Sequence, residues 1–382
     1  MLRMSFETSL PMCSPATCEN TALYVHIPFC RSICAYCDFA RAGYHPVLAE
    51  RYLDQLQREL NDRVPADAPI RTVYIGGGTP TALNAGQLRR LLKMLERWTD
   101  KAREVTIETN PEAVSEELIT CLKQGHVNRV SLGVQSADDG MLKRLGRRHT
   151  WDQTVRAVDL LQRQGLTNLS CDLMYSLPGQ SRMMWQKTLR QAVSLQVPHL
   201  SLYSLTIEEH SAFGRSGQQP LDDQTESEMY FEAVDFLRAQ GYQHYEISNF
   251  ARPGRQSQHN LQYWKYHDFY GVGLGASGKL GNFRYDNTRN FQQYLAGQWV
   301  AERIDLSETD RQFEMLMMNL RLAEGLDLRR YDQCFSIPFE QRYAAALQRC
   351  LNSGWLTLHD SILRPTEQGM ALLNSVLEEF MD

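Results

Sequence analysis

Short apolar, β-branched runs alternate with stretches of helical period six times between residues 22 and 245, and this repetition leaves few folds open. The strand-like runs are 22–26, 72–75, 105–108, 129–132, 169–173 and 200–203. The helical stretches between or after them are 48–63, 85–98, 115–124, 151–164, 183–195 and 225–240. Six β→α units with right-handed crossovers predict an α/β fold with a parallel sheet, either closed towards a barrel or open and doubly wound. In both architectures ligands gather at the C-terminal ends of the strands. Chemistry-bearing residues stand at those ends. The first run leads to Cys30, Cys34 and Cys37, and the second to Gly76-Gly77-Gly78-Thr79-Pro80. The third ends in Glu108-Thr109-Asn110-Pro111, and the fourth leads to Gly133-Val134-Gln135-Ser136. The fifth contains Asp172 and leads to Leu177-Pro178-Gly179. Each alone is explained by turn formation. Five in succession at one end of a sheet mark a site.

The alternation stops near residue 250. Residues 251–305 are rich in Gly, Asn, Tyr and Arg with little helical period, and read as a connecting segment. Helical patterns at 308–322, 326–334 and 339–353 then precede a short hairpin (355–358 and 362–364) and a last helix at 366–380. That order predicts a small winged-helix-like α+β domain over 306–382. Its candidate recognition helix carries Arg342 and Arg349 against Glu340, a weak basic footprint, so a packing or partner role is expected instead of DNA binding. The expected domains are an N-terminal extension (1–20), an α/β core (21–250), the connecting segment and the C-terminal unit. A net charge of -5, without any Lys/Arg run, argues against nucleic acid as partner. No apolar run approaches the length of a membrane span, and residues 1–20 hold no signal-peptide pattern, so neither a transmembrane nor a secreted protein is expected. Composition leaves peripheral membrane contact open.

The chain has nine cysteines. An odd number in a long chain argues against a disulfide framework. Cys121, Cys171, Cys334 and Cys350 are scattered and read as buried free thiols. Cys30, Cys34 and Cys37 are different, because they share one loop in a C-x3-C-x2-C spacing. Structural zinc usually takes four protein ligands, and here only His26 or Asp38 could complete a tetrahedron. A 4Fe–4S cube held by three thiolates leaves one iron without a protein ligand, where a small molecule can bind. Tyr36 and Phe39 are placed to shield such a cluster.

C-x3-C-x2-C with an aromatic residue before the third Cys resembles the radical S-adenosylmethionine (SAM) superfamily. Tyr24-Val25-His26-Ile27-Pro28-Phe29-Cys30, Cys34-Ala35-Tyr36-Cys37-Asp38-Phe39 and Leu145-Gly146-Arg147-Arg148-His149 narrow the resemblance to its HemN/HemW group. So do the strand-end motifs above, Asp172-Leu173-Met174-Tyr175-Ser176-Leu177-Pro178-Gly179 and the ending Leu372-Leu373-Asn374-Ser375-Val376-Leu377. The likeness runs from about residue 22 to the end and leaves out Cys13 and Cys18. It implies a partial (β/α)6 TIM-like barrel with a 4Fe–4S cluster on Cys30, Cys34 and Cys37. It also implies SAM contacts at Tyr24, Gly77, Gly78, Thr79, Glu108, Gln135, Arg147 and Asp172. The chemistry is apt. Arg147 offers a donor fork to a carboxylate, Glu108 and Asp172 suit an ammonium or ribose hydroxyls, and the glycines admit close backbone approach. A cluster of this kind needs a reducing compartment, so a cytoplasmic location and an electron donor are expected.

Two functions occur in the group. One is an oxygen-independent coproporphyrinogen III oxidase, a decarboxylase of heme biosynthesis. The other is a heme chaperone, which binds heme and delivers it to client proteins. The oxidase has a further Cys two positions after the third cluster Cys and a longer N-terminal region. This chain has Phe39 there, and 29 residues before Cys30. His259-Asn260-Leu261-Gln262-Tyr263-Trp264 matches the H-N-x-x-Y-W motif associated with heme in the chaperones. His259 is thus the expected axial heme ligand, with Tyr266 and His267 as nearby substitutes, and Tyr263 and Trp264 as flat faces for a porphyrin. A buried His-Asn turn with two core aromatics is the alternative. The chaperone is the expected function, with no catalytic residue assigned. SAM and cluster would then serve heme release or a homodimer.

Overall fold

The computed structural model describes residues 21–381; Cys13 and Cys18 lie outside the described residues. Its main feature is one 12-stranded sheet. Strands β1 (Thr21–Ile27), β2 (Ile70–Gly77), β3 (Glu104–Thr109), β4 (Arg129–Gln135), β5 (Leu169–Tyr175) and β6 (His199–Ser204) lie side by side in chain order and all run parallel. The helices that follow them are α1 (Pro46–Arg63), α2 (Ala85–Thr99), α3 (Glu116–Gln124), α4 (Trp151–Arg163), α5 (Arg182–Ser194) and α6 (Asp223–Ala239). All six strand expectations and all six helix expectations are met, with small shifts at the ends.

Sequence fixes these helix starts locally. Asn84 and Gln87 form a capping box on α2, as do Thr150 and Gln153 on α4. Ser115, Ser181 and Asp222 each accept a backbone N–H at the start of α3, α5 and α6. Such caps contribute on the order of 1 kcal/mol each. α1 has no side-chain cap and begins with Pro46 instead, whose missing N–H costs nothing there.

The strands alternate by face. Leu23, Val25, Ile27, Val73, Ile75, Val105, Ile107, Val130, Leu132, Leu169, Cys171, Leu173, Leu200 and Leu202 are buried in one apolar core with the helices. The intervening positions carry Tyr24, His26, Tyr74, Glu108, Ser131, Asp172 and Tyr203, and these line a cavity on the other face. The sheet is therefore greasy towards its helices and polar towards its concave interior.

Residues 251–305 differ from the expected connecting segment, since they build into the sheet. β7 (Gln243–Glu246) and β8 (Asn249–Ala251) extend the β6 edge as antiparallel strands. After α7 (Gln258–Trp264) the chain crosses to the other side. There β9 (Phe269–Val272) pairs parallel with β1, and Gly271 faces Tyr24. β10 (Ser277–Leu280), β11 (Phe283–Asn287) and β12 (Val300–Asp305) follow as an antiparallel meander. The seventh parallel strand is only four residues long, too short for a clear period. It covers an edge that β1 would otherwise expose. β12 ends the sheet with exposed Glu302, Arg303 and Asp305, charges that discourage further pairing.

A buried ion pair ties this late meander to α1. Glu59 and Arg63, 0% and 3% exposed, are 2.5 Å apart. Glu59 also accepts from Gly273 N (2.9 Å), Asn287 Nδ2 (2.6 Å) and Tyr294 Oη (2.6 Å). The Arg63 guanidinium lies 4.3 Å from the Tyr285 ring centre.

The C-terminal unit has its own core of Met315, Leu316, Tyr331, Phe339, Tyr343, Leu363, Val376 and Phe380, among others. Its elements are α8 (Glu308–Asn319), α9 (Leu328–Cys334), α10 (Phe339–Asn352), the hairpin β13 (Leu356–His359) and β14 (Ile362–Pro365), then α11 (Glu367–Ala371) and α12 (Leu373–Glu378). Leu326–Asp327 adds a third strand on β14. The single last helix expected from sequence is broken at Leu372, whose backbone leaves the helical region (φ -106°, ψ 26°). On α10, Arg349 is spent on Glu379. Of the four scattered cysteines, Cys121, Cys171 and Cys350 are buried as expected, whereas Cys334 is exposed at the end of α9. Among the described residues no helix is long and apolar enough to cross a membrane.

Replacing Glu59 by Ala strands the Arg63 charge in the core. The expected cost is about 3–5 kcal/mol, the usual range for breaking a buried pair. Urea unfolding should show it as a lowered midpoint, and Arg90→Ala, which breaks an exposed pair with Glu50 and Asp54, should cost under about 1 kcal/mol.

Candidate functional site

A cavity of about 870 Å³ opens at the C-terminal ends of β1–β6. Cys30, Cys34 and Cys37 line it, together with Tyr24, Gly77, Gly78, Thr79, Glu108, Gln135, Arg147 and Asp172. All the residues expected at the cluster and at SAM therefore meet in one place; His259 does not.

The cysteine loop is pinned at its base. Phe29–Cys30 pairs with Ala42–Gly43 in a two-stranded parallel ladder. Within the loop, Ala35 N donates to Leu145 O (3.0 Å) and Cys37 N to Cys34 O (3.3 Å). Ala35 O accepts from Phe213 N (2.9 Å). Cys30 is buried, which pushes its thiol up to about 11; burial also raises Cys37. Tyr36 packs with Leu145, Met174, Leu177 and Leu205. Phe39 does not shield the loop: it sits on the rim with 65% of its surface exposed. Among the described residues no three His, Cys, Asp or Glu side chains close on a single-ion centre.

The candidates for a fourth zinc ligand are otherwise engaged. His26 Nδ1 meets Tyr24 Oη at 3.0 Å and Nε2 meets Ala40 O at 2.8 Å. Burial lowers its pKa to about 4, so it stays neutral and ties the end of β1 to the far side of the loop. Asp38 lies 3.7 Å from Arg289.

The glycine run after β2 is demanded by space. Gly77 has φ +112°, and a Cβ there would come within 2.6 Å of the His26 ring. A Cβ on Gly78 would be 2.9 Å from Cys30 Sγ and from Phe29 O. Bare backbone thus faces the first cysteine, and Thr79 Oγ1 stands 4.0 Å from the same sulfur.

One wall of the cavity is acidic. Glu108 accepts from Tyr74 Oη (2.8 Å) and from Gly77 N (3.0 Å). Burial dominates over both bonds and raises its pKa to about 7. Asp172 accepts from Ser131 Oγ at 2.9 Å and is also raised by burial. Arg147 stands over the cysteines. Its Nη1 is 3.4 Å from Cys34 Sγ, while Nη2 donates to Asn110 Oδ1 (2.6 Å) and Gly133 O (2.5 Å). Gln135 ends β4 at a register irregularity with φ 65°, a left-handed conformation that a non-glycine residue adopts at a cost. Thiols, an acidic pair and a guanidinium around one hollow are a donor set for iron and for a small zwitterion that also carries a sulfonium.

His259 lies elsewhere. It is 1% exposed on α7, with Nδ1 2.9 Å from Thr72 Oγ1 and Nε2 2.7 Å from Tyr263 Oη. Its own N–H donates to Glu104 Oε1 (2.9 Å). Burial holds its pKa down at about 3. His267, the nearby substitute, is half-buried with Nδ1 2.9 Å from Gln262 Oε1; Tyr266 Oη donates to Glu314 at 2.6 Å.

Sequence reasoning passed over Asn110, Tyr74 and Ser131. Asn110 stands inside a motif singled out for Glu108. Tyr74 and Ser131 are signalled only by strand parity, being one full pleat from Thr72 or Gly76 and from Gly133.

The raised Glu108 predicts a pH signature. The folded protein keeps the proton up to about pH 7, whereas an unfolded glutamate releases it near 4.3. Ionisation across that window favours the unfolded chain, so the contribution of neutral Glu108 is present below it and lost as pH rises through it. Glu108→Gln should remove that component. Thermal melts from pH 4.5 to 8 should show the variant gaining stability relative to the wild type with rising pH; parallel curves would refute the assignment.

Comparison with known proteins accords with this geometry. Residues 24–192 match the radical SAM superfamily model and residues 306–372 match the HemN C-terminal domain model. The chain is 36% identical over 372 residues to the heme chaperone HemW of Lactococcus lactis, covering 95% of this chain and 98% of that one. It is 36% identical over 370 residues to the heme chaperone HemW of Escherichia coli K12, covering 94% and 98%. The Bacillus subtilis heme chaperone HemW is 33% identical over 376 residues, covering 94% and 98%. Among solved structures, coproporphyrinogen III oxidase (HemN) from Escherichia coli superimposes with a TM-score of 0.82 at 23% identity, covering 95% of this chain and 90% of that one. That likeness is one of fold.

Proposed function

The chain belongs to the HemW heme chaperone family of the radical SAM superfamily, and on that footing we propose that it binds heme and passes it to client proteins, with a 4Fe–4S cluster and SAM held at the barrel mouth. The observation that carries this reading is the convergence of three loop thiols and eight further cavity residues on one hollow at the strand ends.

The residues present suit both groups. Cys30, Cys34 and Cys37 would hold three irons, with the fourth left for a small ligand. A cluster held there would supply one electron for breaking a sulfonium S–C bond. The chain's own part is positional. The bare backbone at Gly77 and Gly78 admits a ligand against Cys30. Glu108 and Asp172 would take its cationic or hydroxyl groups and Arg147 its carboxylate. Arg147 already touches Cys34 Sγ, so the carboxylate end would sit beside the cluster.

Heme is the cargo in this reading. His259 is not open to it as the structure stands, since both ring nitrogens are hydrogen-bonded and the ring is buried. Ligation by His259 would require the ring to give up its hydrogen bonds to Thr72 and Tyr263 and its burial. No transfer step is derived through that residue. Where the resemblance places a further Cys in the oxidase, this chain has Phe39 on the rim.

Anaerobic reconstitution should load about four irons per chain, and replacing Cys30, Cys34 and Cys37 together by Ala should abolish the loading. The reconstituted protein should bind heme on titration and transfer it to an apo-hemoprotein. Incubated with coproporphyrinogen III, reductant and SAM, it should yield no vinyl product. Vinyl product would restore the oxidase, and failure to bind heme would remove the chaperone.

A further inference from the structure

The H-N-x-x-Y-W helix touches the SAM side of the barrel through ring contacts. α7 closes the concave interior beneath the cavity, with its first turn on Glu104: Gln258 N and His259 N donate to the two carboxylate oxygens at 3.1 and 2.9 Å. That fixes the helix start, since these N–H groups have no partner within the helix. Thr72 and Tyr263 then bracket the imidazole through their hydroxyls, each of which can donate or accept, so a neutral ring is satisfied at both nitrogens. The imidazole centre lies 5.2 Å from the Tyr74 ring centre, at an interplanar angle of 33°. Tyr24, a cavity residue, flanks Tyr74 on another side at 6.2 Å. The Tyr74 hydroxyl donates to Glu108 Oε1, and the other Glu108 oxygen takes the Gly77 N–H. A chain of contacts therefore runs from α7 to the carboxylate on the cavity wall: Glu104 to His259, His259 to Tyr74, Tyr74 to Glu108.

We propose that His259 is a positioning residue for Glu108, acting through Tyr74, so that the motif helix sets the geometry of the SAM pocket. The proposal rests on the reading of the cavity as a SAM site. Among the described residues Tyr74 has no side-chain hydrogen bond besides that to Glu108 to fix its ring plane, and the imidazole packs against its ring. With His259 truncated, the ring gains room to tilt and its hydroxyl no longer points at one carboxylate oxygen. Glu108 then keeps only the Gly77 N–H. The effect is a looser carboxylate, not a missing one.

The test is SAM affinity measured by equilibrium dialysis on the cluster-reconstituted chain, for His259→Ala, Tyr74→Phe and the double variant. Each single variant should weaken SAM binding by about tenfold, the low end of what losing an outer-shell partner costs at a metal site. The double variant should bind within about twofold of Tyr74→Phe, because coupled residues are not additive. Iron content and melting temperature accompany each measurement. If His259→Ala does not fold, Tyr263→Phe removes only the hydroxyl at Nε2. It should weaken SAM binding by a smaller factor of about threefold, again absent in the Tyr74→Phe background. Multiplying factors in either pair, or unchanged SAM affinity in the single variants, overturns the proposal. A heme titration of the same proteins separates the two readings. If wild type binds no heme, the chaperone reading fails while the SAM arms still decide the positioning role. A His259→Ala protein that loses the heme spectrum with SAM affinity intact makes His259 a heme ligand and sinks the proposal.

Discussion

The strand faces of the barrel are divided, and the rest of the molecule follows from that division. The outward aliphatic positions from Leu23 to Leu202 are given to the helix-facing core. The inward positions must then meet one another, and they are polar. A buried polar atom left without a partner costs free energy comparable to a lost hydrogen bond, so the interior can be neither empty nor arbitrary. Tyr74 is held by Glu108, Ser131 by Asp172, Thr72 by His259, and Ser170 meets His199 at 2.7 Å. Where pairing runs out, at the strand ends, the same polarity becomes the cavity wall.

This arrangement needs a floor as well as a mouth. Six strands curved around a polar interior would leave Thr72 and Glu104 facing solvent from below. α7 supplies the floor, and its residues answer those groups by name: Gln258 and His259 for Glu104, and His259 for Thr72. The buried Glu59–Arg63 pair then anchors the chain on its return, since Gly273 and Asn287 both hold Glu59. A segment of low periodicity thus does two structural tasks.

The core and the mouth of the barrel were legible in the sequence because both rest on local signals. Six aliphatic runs, a capped helix after most of them and a three-cysteine loop need no long-range information. The seventh parallel strand was not legible. Phe269–Val272 has no periodicity of its own and exists because the β1 edge is there to pair with. The break at Leu372 and the exposed Cys334 are likewise decided by packing within the C-terminal unit. Within the site, Asn110 and Tyr74 were missed for a related reason. Their roles are defined by Arg147 and Glu108, residues 37 and 34 positions away in the chain.

His259 shows where a motif and a structure divide the work of inference. A six-residue match identifies a kind of sequence, and the imidazole invites assignment as a metal ligand. Ligation, however, needs a nitrogen lone pair facing open space, and this ring spends both nitrogens on hydroxyls. Freeing it would cost two buried hydrogen bonds and the ring packing against Tyr74. The same contacts that close the ring to a porphyrin make it a rigid neighbour of the cavity. Fold likeness cannot arbitrate here, because the oxidase shares the architecture at a TM-score of 0.82. The decision falls to the wiring between α7 and Glu108, where a ligand role and a positioning role demand opposite states of one side chain.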